Sequence, residues 1–212
     1  MKISRIFATV LLLGCVAYII TQQSGDTQAP PTHQPSDASP HSGSGHRLAE
    51  SLQRKLDHIQ QNAQLPRPDP APTVMTEEEI NDYIASGHIT LPQGVKKLTL
   101  QGKSGVITAF ANIDFDEIRA GQRSSNPLLS LFSGRHDVRV EADADAKDGE
   151  GHVHVRSVNL DGVEIPPMAL QFFVNKYITP KYPNVGIDSQ FKLRDKVDTA
   201  TVGYHKLTVT QR

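Results

Sequence analysis

Between His136 and Arg156 the chain alternates apolar and polar side chains on both sides of a single Asp148-Gly149 pair. Alternation with a period of two is typical of a half-buried strand, and Asp-Gly between two such strands favours a two-residue type I′ turn. This loop length pairs Lys147 with Glu150, and the rest of the register follows residue by residue. The sequence therefore predicts a long antiparallel hairpin.

The predicted register places complementary polar side chains opposite each other on one face of the hairpin. Two histidines separated by one residue and facing two aspartates also fit a metal site. Every pair on this face is complementary, however, including pairs that no metal requires, which favours a solvent-exposed ladder. No metal or other cofactor is therefore expected. The predicted pairs on this face are Asp145 with His152, Asp143 with His154 and Glu141 with Arg156. On the other face, Ala144 is predicted to pair with Val153 and Ala142 with Val155.

Two further regions complete the first half of the predicted domain. Thr76 and Glu79 have the spacing of a capping box, and Gly87 is suited to end the helix that follows. From residue 95 the period changes to two, which predicts a pair of strands around a turn at residues 102–105. Val106 and Phe110 lie on the face opposite the regular apolar positions of the second strand. A strand that is apolar on both faces is either covered twice or lines a ligand cavity, so both residues are candidate ligand-lining residues.

The segment after the hairpin predicts a second Asp-Gly turn and then a short helix opened by Pro166-Pro167. Its large apolar residues are too numerous for a helix exposed to water on two sides, so they pack in the core or line an apolar pocket. Two strands follow, with Val197, Val202, Leu207 and Val209 expected to point inward. The residues of this helix that are candidate ligand-lining residues are Met168, Phe172, Phe173 and Tyr177.

The N-terminus predicts export of the chain. Lys2 and Arg5 precede an apolar run from Ile6 to Ile20, the pattern of a secretory signal or a single membrane span. The positive-inside rule places the two basic residues in the cytoplasm and the remainder of the chain outside it. The sequence therefore predicts a single-pass protein of a bacterial inner membrane, with its C-terminal domain in the periplasm.

The only cysteine of the chain, Cys15, lies inside this apolar run. The residues from Leu12 to Cys15 resemble the bacterial lipoprotein box, which makes Cys15 a candidate lipidation site. Apolar residues continue after it as far as Ile20, which favours an uncleaved anchor, and a cleaved signal is the third alternative. A single cysteine excludes an intrachain disulfide.

Composition divides the rest of the chain into a linker, a helix, a spacer and a domain. Residues 22–46 contain almost no large apolar side chain and predict a disordered linker. Leucine and isoleucine then recur at helical spacing, and this stripe is expected to dock on the folded domain rather than pair with a second copy. The predicted divisions are a signal anchor at 1–21, the linker at 22–46, an amphipathic helix at 47–65, a proline-rich spacer at 66–73 and an exported domain at 74–212.

Charge and motif content exclude several classes of function. The formal net charge is −1, so no overall field attracts nucleic acid, and no nucleic-acid partner is expected. The chain has no nucleophile elbow and no paired-carboxylate signature, and a Gly-Lys-Ser triplet at 102–104 lacks the rest of a phosphate loop. The sequence therefore predicts a non-enzymatic protein. The predicted fold class is α+β, with a membrane anchor and disordered stalk followed by a curved antiparallel sheet packed with two or three helices.

The order of four segments resembles a group of uncharacterised bacterial membrane-anchored envelope proteins. These segments are "TEEEINDYI", "LPQGVKKLTL" with "GVITAFANIDFDEI", "VNLDGVEIPPMALQFF" and a closing "GYHKLTVTQ". The chain is also distantly similar to tubular lipid-binding (BPI-like) domains, in which a curved sheet wraps a long helix around an acyl chain. The resemblance implies one exported domain that binds a lipid-like or other apolar ligand.

Two functions follow from these expectations. In the first, an anchored periplasmic domain binds a lipid-like or other apolar small molecule. In the second, the chain is an envelope assembly or scaffold factor that contacts another envelope protein through the stalk helix or an open sheet edge.

Overall fold

A computed structural model describes residues 43–119 and 127–212 of the chain, and the structural statements below concern these residues. The predicted signal anchor with Cys15, and all but the last residues of the predicted linker, lie outside them. In the described part of the chain, no helix combines the length and the apolar character needed to cross a membrane.

The domain is α+β, as the sequence predicts, with four α-helices and one large antiparallel sheet. A short 3₁₀ helix at Pro127–Leu131 precedes the central hairpin, and a π-helical turn at Val174–Ile178 continues the last helix. The helices are α1 (Gly43–Ala63), α2 (Glu77–Ala85), α3 (Phe115–Arg119) and α4 (Pro167–Phe173).

Nine strands form the sheet, and the two strands of the hairpin, β4 and β5, each pair with three others. One edge of β4 pairs with β3 and, beyond the end of β3, with β8. The other edge of β4 pairs with β5. The path runs β1-β9-β8-β4-β3-β2, while β5 also pairs with β6 and β7. The strands are β1 (Thr73–Thr76), β2 (Val95–Lys103), β3 (Val106–Asp114), β4 (Arg135–Lys147), β5 (Glu150–Leu160), β6 (Val163–Glu164), β7 (Asp188–Lys192), β8 (Val197–Gly203) and β9 (Lys206–Gln211).

The predicted hairpin is confirmed around its turn. Asp148 and Gly149 have φ angles of 56° and 80°, as a type I′ turn requires, and the register of the first pairs is the predicted one. The prediction that Glu141 faces Arg156 is wrong, because a β-bulge shifts the register and pairs Glu141 with Ser157. Arg156 instead forms an ion pair with Asp143, with Nη2 2.6 Å from Oδ1.

The helices cover one face of the sheet and leave the other face to solvent. Alternate residues of β3 and β4 are buried beneath α2 and α4, whereas the intervening residues are exposed or half-buried, and all of them except Val106 and Phe110 are polar. Val197, Val202, Leu207 and Val209 are all buried, as predicted. The apolar stripe of α1 also enters this core, so the helix docks on the domain, as predicted. Its buried members are Ala49, Leu52, Leu56, Ile59 and Ala63.

The predicted capping box is present and joins α1 to α2. Glu79 Oε2 accepts a hydrogen bond from the Thr76 amide, and Glu79 N donates to Thr76 Oγ1. The same carboxylate accepts hydrogen bonds from Lys55 Nζ at 2.6 Å and Ser51 Oγ at 2.7 Å, both on α1. Burial raises the pKa of Glu79, but these hydrogen bonds outweigh it and hold the pKa below its usual value. Glu79 therefore stabilises the α1–α2 contact as a carboxylate.

A buried amide pair attaches the C-terminal strand to the end of α1. The Gln211 side chain donates to the carbonyl oxygens of Ile59 and Asp195 and accepts from Asn62 Nδ2 at 2.8 Å. Asn62 also bonds the backbone N–H and C=O of Asp69 at 2.8 and 2.9 Å. The proline-rich segment is therefore hydrogen-bonded to α1 through Asp69.

The edge strand β2 is partly closed by polar groups from neighbouring elements. The Asn81 side chain on α2 donates to the Leu100 carbonyl and accepts from the Leu100 amide, each at 2.8 Å, as a neighbouring strand would. The Gly102 amide donates to Glu77 Oε2, and the Gly102 carbonyl accepts from the His205 amide. These contacts use backbone groups through which another chain could otherwise pair.

Candidate functional site

An apolar cavity lies between the sheet and α4. It has a volume of about 90 Å³, and every residue that lines it is apolar or glycine. The sheet contributes side chains from β3, β4 and β5, and the opposite wall comes from α4, the π-helical turn and the segment before β7. The lining residues are Ile113, Phe115, Phe132, Val138, Val140, Val155, Val158, Leu170, Phe173, Val174, Ile178, Val185, Gly186 and Ile187.

Aromatic rings close one end of this cavity. Phe132 and Phe173 stack with their centroids 4.3 Å apart, and Phe115 meets each of them edge to face at 5.5 and 5.4 Å. These arrangements are the favourable ones for aromatic pairs. They connect the end of β3, the 3₁₀ helix and α4, three elements that are separate in sequence.

The cavity is smaller than a typical ligand site. Pockets for drug-sized molecules occupy roughly 300–1,000 Å³, and an engineered apolar cavity of about 150 Å³ admits benzene. A volume of about 90 Å³ therefore fits only part of an acyl chain unless a wall moves.

One wall of irregular structure is the segment that contains α4. The helix spans seven residues, starts directly after Pro166 and passes into a π-helical turn at Val174. Short helices gain little stability of their own, and π-helical turns occur frequently at functional sites. Displacement of α4 away from the sheet would enlarge the cavity without breaking the pairing of β3, β4 and β5.

Tyr177 lies at the far end of this segment with a buried hydroxyl. The residue is 3% exposed, and its ring is 5.3 Å from that of Phe173. Among the described residues, its hydroxyl oxygen has no hydrogen-bond partner. A buried polar atom without a partner is energetically unfavourable, so it is a group that a ligand or a rearrangement of α4 could satisfy.

A second concave region lies on the open face of the sheet. It has a volume of about 710 Å³ and is lined by residues of β2 to β5 and the turn after β5. Phe110 lies there, 38% exposed, with the Arg139 guanidinium 5.9 Å from its ring centre. Asn112 Nδ2 donates to Asp137 Oδ1, and Arg139 pairs with Glu141. The polar groups of this groove are thus largely paired with each other.

The six candidate lining residues occupy different places in the fold. Only Phe173 lines the apolar cavity, while Tyr177 is buried beside it. Met168 and Phe172 lie on the exposed side of α4. Phe110 lines the open groove, and Val106 is half-buried near the turn that joins β2 to β3.

The sequence placed the strand residues of the cavity on the hairpin or on a sheet face. It did not predict that these residues lie opposite α4. Val138, Val140 and Val155 had a usable signal, because the predicted alternation already placed them on apolar positions of the hairpin, whereas Val158 lies beyond the register shift and was out of phase with them. The missing information was which helix covers that face, and no local pattern contains it.

His136 joins two segments that border the cavity. Its Nδ1 is 2.6 Å from Asp161 Oδ2, and its Nε2 is 2.8 Å from the Ser133 carbonyl oxygen. Both partners are acceptors, so the ring satisfies both bonds only when each nitrogen carries a proton. Asp161 precedes β6 and α4, while Ser133 follows Phe132, so the imidazolium holds the two walls together.

We expect the free energy of unfolding to decrease as the pH rises through the pKa of His136. The hydrogen bond that His136 donates to the Asp161 carboxylate raises this pKa above the ordinary value of 6.5. The stabilisation is complete below pH 6.5, the value in the unfolded chain, and it disappears above the raised pKa of the folded state. Urea unfolding of the wild type and of His136→Gln across this range measures the effect.

His136→Gln should remove this component of the pH dependence, whereas His58→Gln, on the exposed side of α1, should retain it. Identical pH profiles for the wild type and His136→Gln would contradict the assignment.

No group of three or more His, Cys, Asp or Glu side chains within residues 43–119 and 127–212 is placed to hold a metal ion. His152 and His154 occupy the predicted positions opposite Asp145 and Asp143. His154 Nδ1 lies 2.5 Å from Asp188 Oδ1 on β7.

Comparison with protein-family models, with curated proteins and with solved structures finds no match to this chain.

Proposed function

We propose that this protein is a membrane-anchored periplasmic domain that binds a lipid-like apolar molecule between its sheet and α4. The observation that carries the proposal is the apolar lining of the cavity, which offers no polar group that would favour a hydrated ligand. An acyl chain matches such a surface because its binding gains free energy from the apolar area removed from water.

The construction of α4 supports ligand access from this side. The helix is short, irregular at its end and flanked by prolines, and its outer surface carries the apolar side chains Met168 and Phe172. Outward movement of α4 would expose the cavity wall at Phe173 while leaving the central strands paired. The bound acyl chain would then occupy volume that the closed form lacks.

The assembly function remains the alternative, and the contacts of the domain favour the ligand-binding function over it. The apolar stripe of α1, one of the two surfaces on which an assembly role would depend, is buried in the core of the same chain. The second surface is an open sheet edge. The edge of β2 is a candidate for it, but its backbone groups at Leu100 and Gly102 are hydrogen-bonded to side chains of α2. Neither surface is therefore freely available for a partner protein.

Photocrosslinking of the full chain in cells tests the proposal. Cells that produce it are supplied with a fatty acid that carries a diazirine group, irradiated, and the modified peptides are mapped by mass spectrometry. We expect crosslinks in β5, in α4 and in the segment before β7. Val155→Phe, which fills the cavity, should lower the yield by about tenfold, equivalent to roughly 1.4 kcal/mol of binding free energy.

Val106→Phe is the matched control, since it makes the same substitution at a strand position outside the cavity. Equal crosslinking of the wild type and Val155→Phe, or crosslinks confined to the N-terminal segment, would reject the proposed site. Crosslinking to an envelope protein instead of lipid would favour the assembly function.

A further inference from the structure

We infer that the outer surface of α4, together with Leu131 of the adjacent 3₁₀ helix, docks on the surface of an anionic lipid bilayer. This surface, the α4 face, consists of Leu131, Met168 and Phe172 with Lys176 beside them. The inference rests on the membrane anchorage proposed above, because the bilayer concerned is the one in which the N-terminal run is expected to lie.

Large apolar side chains are exposed together on the α4 face. Met168 and Phe172 are 66% and 45% exposed and are separated by one helical turn, so they lie on the same side of α4. Leu131 is 45% exposed and precedes Phe132, whose ring stacks on that of Phe173. The 3₁₀ helix therefore packs beside α4, so the exposed apolar residues belong to two adjacent elements, and grouped exposure of this kind marks an interaction site.

The charge distribution around the α4 face favours an anionic partner. Residues 165–187 contain Lys176 and Lys181 and no acidic residue, although 23 of the 212 residues of the chain are acidic. The described residues 127–135 likewise contain no acidic residue. On the open face of the sheet, by contrast, acidic and basic side chains alternate and pair. Apolar and aromatic side chains flanked by lysine are the combination that binds the interface of anionic membranes.

The length of the N-terminal chain keeps the α4 face within reach of a bilayer. The residues from Thr21 to Ser42 span at most about 75 Å when fully extended, so the domain always stays near the membrane that holds the anchor. Tethering raises the effective concentration of the surface to about the millimolar range, at which even a weak contact becomes occupied. Docking in this orientation places Phe173 and the apolar cavity next to the lipid from which a ligand would come.

The absence of tryptophan from the chain permits a direct test. Phe172→Trp introduces a single fluorophore at an exposed site, and the full chain is reconstituted in vesicles that contain phosphatidylglycerol with brominated acyl chains. Bromine quenches tryptophan only at close range, so we expect the emission of this variant to be strongly quenched and shifted to the blue. Quenching should be weaker in brominated phosphatidylcholine vesicles, and Lys176→Glu should reduce it only in the anionic vesicles.

Phe110→Trp is the matched control, because Phe110 has a similar exposure on the open face of the sheet. It should remain unquenched in both kinds of vesicle. Met168→Trp repeats the measurement at a second position of the α4 face in case Phe172→Trp does not fold, which circular dichroism detects. Equal emission of the α4 variants and Phe110→Trp would overturn the inference, and equal quenching in the two lipids would overturn the anionic preference.

Surface docking and ligand binding fail independently in this design. Combining Phe172→Trp with the cavity-filling Val155→Phe should leave the quenching unchanged, because docking uses only the outer side of α4. Loss of quenching in this double variant would show that the tryptophan detects a lipid in the cavity, and would overturn the docking inference. Retained quenching without fatty-acid crosslinking would overturn the proposed ligand instead.

Discussion

Phe132→Ala is expected to lower the free energy of unfolding by about 3–5 kcal/mol, the usual range for removing a buried phenylalanine. Phe132 is 1% exposed and is among the largest fully buried side chains of the described residues. Its ring contacts Phe115 of α3 and Phe173 of α4, so its loss removes a packing contact with each of these helices. Urea unfolding followed by circular dichroism measures the change.

This variant also enlarges the cavity, because Phe132 forms part of its wall. A small apolar ligand such as benzene should therefore restore part of the lost stability of Phe132→Ala, to an extent that rises with its concentration. Leu131→Ala is the matched control, as it alters the exposed neighbour and should change stability by less than about 1 kcal/mol. A small loss of stability in Phe132→Ala, or the same benzene effect in the wild type, would contradict this account.

Gln211→Ala is expected to cost about 2–4 kcal/mol, since it removes three hydrogen bonds in a buried region and leaves their partners unsatisfied. The groups left behind are the carbonyl oxygens of Ile59 and Asp195 and the amide of Asn62. Chemical denaturation gives the total loss. Hydrogen exchange should show faster opening at the end of α1 and in β9 than in the central hairpin.

Gln190→Ala is the control for this prediction, because Gln190 is exposed on β7. The double variant Asn62→Ala with Gln211→Ala should lose less than the sum of the two single variants, as expected for residues in one network. Additive losses, or a loss below about 0.5 kcal/mol for Gln211→Ala, would show that water satisfies these groups.

Local elements were predictable where neighbouring residues contain the physical signal. The capping box at Thr76 and Glu79 and the type I′ turn at Asp148-Gly149 depend only on residues a few positions apart. The bulge at Arg156 was not predicted, although the sequence carries a signal for it: the apolar positions change phase between Val155 and Val158, as one extra residue in the strand requires.

The candidate site was predictable only in part, because packing of the helix against the sheet decides which side chains line it. The sequence indicated that the helix after Pro167 carries more large apolar residues than one buried face requires. It could not separate Phe173, which lines the cavity, from Phe172, which is exposed, because the two side chains point in different directions and only packing decides which of them faces the sheet. Likewise, the local sequence of Phe110 does not show that its face of the sheet remains open.

The sequence by itself determined the long hairpin, the capped helix, the α+β class and the inward positions of the last two strands. These properties follow from side-chain periodicity and from turn and cap chemistry, which act over a few residues. Only the tertiary structure decided that His136 joins Ser133 to Asp161 and that Gln211 meets Asn62 across most of the chain. Such contacts depend on the order in which strands pair and on which helix covers which face, and both are set by packing of the whole chain rather than by any local pattern.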